Sequence, residues 1–261
     1  MDAIKKNQNW IEKNRVKLIR IAITFTFFLA IYFIWQNIKH NFPWDFSVLP
    51  EYFPLFWAGA VATLQITTLG ILLGLVLGIV IGLMRTSNIW VLDSLSRLYI
   101  FLIRGTPLLL QLFIIYYGLS SVVRIPGYPA AIIALGIHNA AYIAEIFRGA
   151  ITSVDRGQRE AALSIGMTSW QSMKRIILPQ AFKRAVPPLG NQFIIALKDS
   201  SLASTIAVSE LILRSRQLAS SNFMMMEMLV VAGIYYLFLT SFFSIIVAKI
   251  EKRLGVSDHR V

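Results

Sequence analysis

The sequence predicts an all-α integral membrane protein. Three observations carry that prediction: an apolar composition, six long hydrophobic runs, and basic residues gathered between the runs. Of the 261 residues, 56% are hydrophobic and 15% charged, against roughly a quarter charged in soluble domains. A soluble chain of this length could not bury so much apolar surface, so lipid is the expected solvent. A net charge of +12 would suggest nucleic acid in a soluble protein. Here the 25 Lys and Arg flank hydrophobic runs, as membrane orientation demands, and no nucleic-acid partner is expected. The absence of cysteine excludes disulfides and thiolate chemistry. The three histidines, His40, His138 and His259, lack any local ligand spacing, and no metal is expected.

A helix needs about 20 apolar residues to cross the hydrocarbon. Six segments qualify, at about 21–38, 56–84, 100–123, 129–148, 186–208 and 226–248. The first has a basic leader and an apolar stretch from Ile21 to Trp35 that resemble a signal peptide. Gln36, Asn37, Ile38 and Lys39 stand where a cleavage site would follow, so an uncleaved anchor is expected. Residues 1–50 are therefore read as an N-terminus with an extra helix, 51–250 as the transmembrane core and 251–261 as a tail.

The second segment places Gly70, Gly74, Gly78 and Gly82 four residues apart, and the same spacing meets Ala62 and Ala58 further back. Such a stripe permits close backbone approach, on which helix association in lipid depends. The third segment contains Arg104, Gly105, Thr106 and Pro107. Proline disfavours helical geometry in the residue before it, so a short helix is expected to end here and the span to begin near Pro107.

Orientation follows from the Lys and Arg bias. With the N-terminus inside, twenty of the 25 fall on inner segments, only Lys39, Arg124, Arg214 and Arg216 lie outside, and Lys198 lies within a span. Both termini and the long loop after the fourth span are expected in the cytoplasm. Trp35, Trp44 and Tyr52 suit an outer aromatic belt.

That loop reads Glu160, Ala161, Ala162, three residues, Gly166, nine residues, then Ile176, Ile177, Leu178 and Pro179. Glu160 to Leu163 favour helix, Gly166 turns it, and Trp170 to Leu178 supply a second short amphipathic helix that Pro179 should end. The pair makes a projection suited to a partner's groove. An amphipathic helix on the lipid surface, served by Lys174, Arg175, Lys183 and Arg184, is the other reading.

The spacing Glu-Ala-Ala, three residues, Gly, nine residues, Ile, one residue, Leu-Pro resembles the signature loop of membrane subunits of type I ATP-binding-cassette importers. Arg104 to Pro107 with Leu108, Gln111 and Tyr116 to Gly118, and Tyr142 to Gly149, are similar to the polar-amino-acid branch. The resemblance covers roughly 55–250, and the extra N-terminal helix departs from the branch's shorter plan. It implies the type I importer transmembrane fold in a bacterial cytoplasmic membrane. It also implies that Glu160, Ala161, Ala162, Gly166, Ile176, Leu178 and Pro179, within a loop spanning 152–185, dock a separate ATPase. The implied partners are two copies of that ATPase, an external solute-binding protein, a second permease subunit and a polar amino acid. The chain has no phosphate-binding Gly-x4-Gly-Lys-Ser/Thr loop. ATP and Mg therefore belong to the partner, no cofactor is expected here, and the chain is not expected to be an enzyme.

Ionisable groups within spans cost about 2.5–3.5 kcal/mol each, which makes His138, Glu145, Lys198 and Asp199 functional candidates. His138, Tyr142 and Glu145 share a helical face, with Asn139 alongside. A zwitterion needs a positive site for its carboxylate and a negative one for its ammonium, which Lys198 with Asp199 or Glu145 would supply. Equally open are helix-to-helix hydrogen bonds for His138 and Asn139, a pair of Glu145 with Arg148, and a gate or kink at Lys198 and Asp199. The alternative function is an ion-coupled secondary amino-acid transporter, which would work without a docking loop. A membrane enzyme would need a convergent catalytic set that these residues do not form.

Overall fold

The structure, a computed structural model, describes residues 2–254 apart from 42, 43, 88 and 121. Of the tail expected over 251–261, residues 255–261 lie outside the described residues, as do the side chains of the first 14 residues. The chain falls into two compact units, Met1–Val48 and Leu49–Val261. The first holds helix α1 (Asp2–Asn41), 40 residues long, or about 60 Å at 1.5 Å per residue. Its stretch Lys17–Asn37 is apolar enough to cross a bilayer. The Thr24 hydroxyl donates to the Arg20 carbonyl at 2.8 Å, which hides it from lipid within the helix.

The second unit opens with α2 (Leu49–Arg85), followed by α3 (Trp90–Arg104), α4 (Leu108–Phe113) with a π-helical turn over Ile114–Gly118, and α5 (Gly127–Thr152). α2 and α5 form the central seam. A Cβ on Gly78 would stand 2.7 Å from Ile143 Cγ2 and 2.9 Å from the Ala140 carbonyl, and one on Gly74 would stand 3.1 Å from the Gly136 carbonyl. The glycines therefore set the backbone separation. The stripe does not run back through Ala62 and Ala58, as a four-residue spacing suggested. Gly59, Thr63 and Thr67 are buried instead, while Ala58 is exposed. A spacing of four overshoots the helical repeat by about 40° per step, so over six steps it leaves the contact face.

Only α1, α2, α5 and α10 (Met225–Arg253) are long and apolar enough to cross a membrane by themselves, among the described residues. A fifth crossing exists if α3 and the Leu108–Gly118 segment count together across their 101° bend. The expected span from Pro107 is thus corrected. Leu108–Gly118 covers about 16 Å at helical rise, roughly half the hydrocarbon thickness.

After α5 come α6 (Arg156–Ser164) and α7 (Ser169–Ser172), then a π-helical turn (Met173–Ile177) leading into α8 (Leu178–Asp199). A 3-10 helix (Ser200–Ile206), α9 (Leu211–Asn222) and α10 complete the unit. The expected fifth span, 186–208, is divided where α8 tightens into the 3-10 helix at Ser200. Its polar content explains why it fails as a plain apolar crossing. The core is rich in small side chains, with Ala130, Ala134, Ala196 and Ala203 around Ile66, Leu135 and Ile143, as close helix contact requires.

Pro179 does not end a helix. It occupies the first turn of α8, where its missing N–H costs nothing. Just before it the Leu178 N–H reaches the Met173 carbonyl five residues back. That wide turn gives the proline ring room it would lack in a continuous α-helix.

Candidate functional site

The loop that joins α5 to α8 is built from local hydrogen bonds. Asp155 caps α6 by accepting from the Gly157 N–H at 2.7 Å. At the other end the Gly166 N–H donates to the Leu163 carbonyl (3.0 Å) and the Met167 N–H to the Ala162 carbonyl (3.1 Å). This six-to-one and five-to-two pairing needs a left-handed residue just past the helix, and Gly166 supplies it at φ +83°. The spacing of Ala162 and Gly166 is thus a helix stop. Thr168 and Gln171 then start α7 with a reciprocal capping box.

Three contacts brace this element to the helices on either side. The Arg184 guanidinium donates to the Ser153 carbonyl and hydroxyl at the end of α5. Gln180 Nε2 reaches Gln158 Oε1 at 3.3 Å. Beneath them Ala150, Val154, Ile177, Ala181 and Ala185 form a buried cluster. Glu160 and Ala161 face outward, Ala162 is buried, and Ile176, Leu178 and Pro179 lie in the π-turn and first turn of α8. The projecting tip exposes Ile165 (74%) and Trp170 (69%).

The second constellation surrounds the bend after α3. The 101° bend at 104–107 strands carbonyls that a continuous helix would satisfy. Gln111 gathers them: its Nε2 donates to the Ile103 carbonyl (2.8 Å), the Thr106 carbonyl (3.2 Å) and Thr106 Oγ1 (2.9 Å). Its Oε1 then faces His138 Nδ1 at 3.0 Å. Because the Gln111 amine serves carbonyls, its oxygen must accept, which fixes the His138 proton on Nδ1. The Tyr142 ring packs beside His138 at 5.1 Å, and the Arg104 guanidinium lies 5.2 Å from the centre of that ring. The Tyr99 hydroxyl donates to the Ile137 carbonyl at 2.7 Å. Bend and α5 are thereby joined.

Asn139, one residue on and about 100° around the helix, points the other way. Its Nδ2 donates to the Leu135 carbonyl and its Oδ1 accepts from Gln192 on α8 at 2.8 Å. Both His138 and Asn139 are buried. Glu145 binds Arg148 through both carboxylate oxygens (2.9–3.1 Å) and lies 4.0 Å from Arg85. Arg85 in turn pairs with Asp93 at 2.6 Å and Asp93 with Arg97 at 2.8 Å.

Lys198 is exposed and Asp199 half-buried, and neither makes an ion pair among the described residues. The neighbouring hydroxyls of Ser200, Ser201 and Thr205 donate to carbonyls three residues back, stabilising the tightened turn. Asp199 borders a cavity of about 10 Å³ between Leu108, Leu112 and Leu135. That is room for about one water and far too little for an amino acid in this conformation.

Sequence reasoning missed two residues. Gln192 sits in an amphipathic stretch with no motif to mark it. Glu210 is fully buried and caps α9 by accepting from the Ile212 and Leu213 N–H groups (2.9 and 2.8 Å), while the Tyr236 hydroxyl donates to it at 3.1 Å. Its acidic character in a hydrophobic setting was a usable signal, but it fell between two expected spans.

Residues 70–256 match the family model of the binding-protein-dependent transport system inner membrane component. The chain is 38% identical over 215 residues to the glutamine transport system permease protein GlnP of Escherichia coli K12, covering 81% of this chain and 98% of that one. It is 44% identical over 197 residues to the probable amino-acid ABC transporter permease protein PatM of Vibrio harveyi, covering 74% and 88%. Its fold matches the crystal structure of an amino acid ABC transporter with histidines at a TM-score of 0.78 and 39% identity, over 80% of this chain and 99% of that one. The chain belongs to the family of binding-protein-dependent inner-membrane transport components. It is a multi-pass permease subunit of an ATP-binding-cassette importer, a transport component rather than an enzyme. This membership does not favour the ion-coupled secondary transporter.

Proposed function

We propose that this chain forms the membrane path of a polar-amino-acid importer, and that residues 152–185 are the handle by which a separate ATPase moves it. The carrying observation is mechanical: an apolar tip at Ile165 and Trp170 rides on a stem locked to both α5 and α8. A force on Glu160, Ala161, Ala162 and Gly166 would pass through Ile176, Leu178 and Pro179 into α8, and through the Arg184–Ser153 contact into α5. The Lys and Arg bias supports a cytoplasmic position for this loop and both termini. Two ATPase copies holding ATP and Mg, a second permease subunit and an external solute-binding protein complete the machine. The names of GlnP, PatM and the crystallised transporter support an amino acid as cargo.

His138, Asn139, Tyr142, Glu145, Lys198 and Asp199 are the pathway candidates. Among them Lys198 and Asp199, which make no ion pair among the described residues, suit a zwitterion better than Glu145, whose charge Arg148 already answers. The test is ATP-dependent uptake by the complete complex in vesicles, challenged with competing amino acids. Lys198→Met and Asp199→Asn should each cut uptake at least tenfold with assembly retained. Unchanged uptake would remove them from the path. Trp170→Ala should weaken ATPase recruitment, and full recruitment together with full pumping would overturn the handle.

A further inference from the structure

The four ion pairs among the described residues, Arg85–Asp93, Arg85–Glu145, Arg97–Asp93 and Arg148–Glu145, all lie toward the loop end of the bundle. α9 lies at the opposite end. A Cβ on Gly59, near the start of α2, would touch the Leu211 backbone and the Arg214 stem, whereas Gly82, near the end of α2, abuts Ala144 and Phe147. At the α9 end Arg214 and Arg216 have no carboxylate partner among the described residues, and the Arg214 head meets only Gln217 at 3.4 Å. The fully buried acid there, Glu210, is committed to capping α9.

The orientation bias explains basic residues at the loop end and disfavours them here, so these arginines need another cause. Lipid tails do not supply it. α9 buries Leu211, Ser215 and Leu218 and exposes Arg216, Gln217, Ser220 and Ser221. α10, by contrast, exposes Ile234, Leu237, Phe238 and Phe242. The outward face of α9 therefore meets water. A second copy pairing through the same patch would set arginine against arginine, because a two-fold contact is self-complementary. Arg124, which the bias also places at the outer side, borders a hollow of about 420 Å³ lined by Tyr116 and Tyr117. Arginine and tyrosine are the residues that interfaces enrich.

We infer that the outward face of α9, flanked by the exposed Arg216 on one side and the half-buried Arg214 on the other, with Arg124 as a second anchor, seats an acidic surface of the external solute-binding subunit. This rests on the proposed orientation and import role. The experiment uses the complete complex in nanodiscs, titrated with its purified, solute-loaded binding subunit, with ATPase stimulation as the readout. Arg214→Glu/Arg216→Glu should raise the half-maximal concentration at least tenfold and flatten its salt dependence, with basal ATPase unchanged. Arg214→Lys/Arg216→Lys should recover most of the affinity. An unchanged half-maximal concentration and salt slope would overturn the inference. So would an effect seen only in discs containing anionic lipid, which would assign the arginines to headgroups, or dissociation of the permease pair, which would assign them to a second copy. A wild-type complex that hydrolyses ATP but ignores the binding subunit would instead sink the import role itself.

Discussion

The two ends of the bundle answer charge in opposite ways. At the loop end, Arg85, Asp93, Arg97, Glu145 and Arg148 tie α2, α3 and α5 together through side chains that remain partly exposed. At the α9 end, the acid Glu210 is fully buried and satisfied by two backbone N–H groups and Tyr236, and Arg214 and Arg216 have no carboxylate partner among the described residues. The lesson is that charge at one end holds helices to one another, while at the other the two arginines take no part in holding the helices by ion pairs among the described residues. A buried, fully bonded carboxylate is costly to disturb because its donors cannot turn to water. A half-exposed pair is cheap to lose because solvent screens it.

That contrast can be broken by measurement. Glu210→Ala should have the largest effect, destabilising by on the order of 3 kcal/mol, since it removes a helix cap and strands buried donors together. Thermal unfolding in one fixed detergent would show it, with Glu210→Gln losing visibly less; equal losses would mean that the charge is irrelevant to the cap. Between the ends, Gln111→Leu should cost about 2 kcal/mol by orphaning the Ile103 and Thr106 carbonyls and the His138 donor. Hydrogen exchange localised to residues 103–111 should rise, and an unaltered exchange pattern would deny Gln111 its role at the bend.

The loop-end pair is expected to be worth less. A double-mutant cycle of Glu145→Gln and Arg148→Gln should give a coupling of about 0.5–1 kcal/mol, screening already allowed for. A coupling above roughly 3 kcal/mol would show that the pair is far better shielded than its exposure indicates. The smallest effect belongs to Arg216→Glu, which should leave stability within about 0.5 kcal/mol. A large loss there would mean that Arg216 has an intramolecular partner, and the contrast between the ends would fail.

Much of this architecture was legible in residue order. Gly166 and Ala162 carry their helix stop in their spacing, because the paired hydrogen bonds that end a helix span a fixed number of residues. Proline and glycine at 104–107 likewise forecast a break, since both act on their own backbone. Pro179 was misjudged because its effect depends on the turn before it. The π-turn at Met173–Ile177 arises from how the loop is packed and has no local signature. Ala58 and Ala62 were misplaced because counting by four drifts away from a 3.6-residue repeat.

Composition, apolar length and charge placement by themselves determined that the chain lives in a bilayer and that the loop at 152–185 is distinct from the spans. These properties depend only on what each residue type prefers as solvent and on distances along the chain. Tertiary structure alone decided that Gln111 joins the bend to His138, that Asn139 turns to Gln192, and that Glu210 is buried while Arg214 and Arg216 find no carboxylate among the described residues. Those outcomes depend on which helices come to lie side by side, and a side chain's partner across a helix contact lies dozens of positions away, as Gln192 does from Asn139.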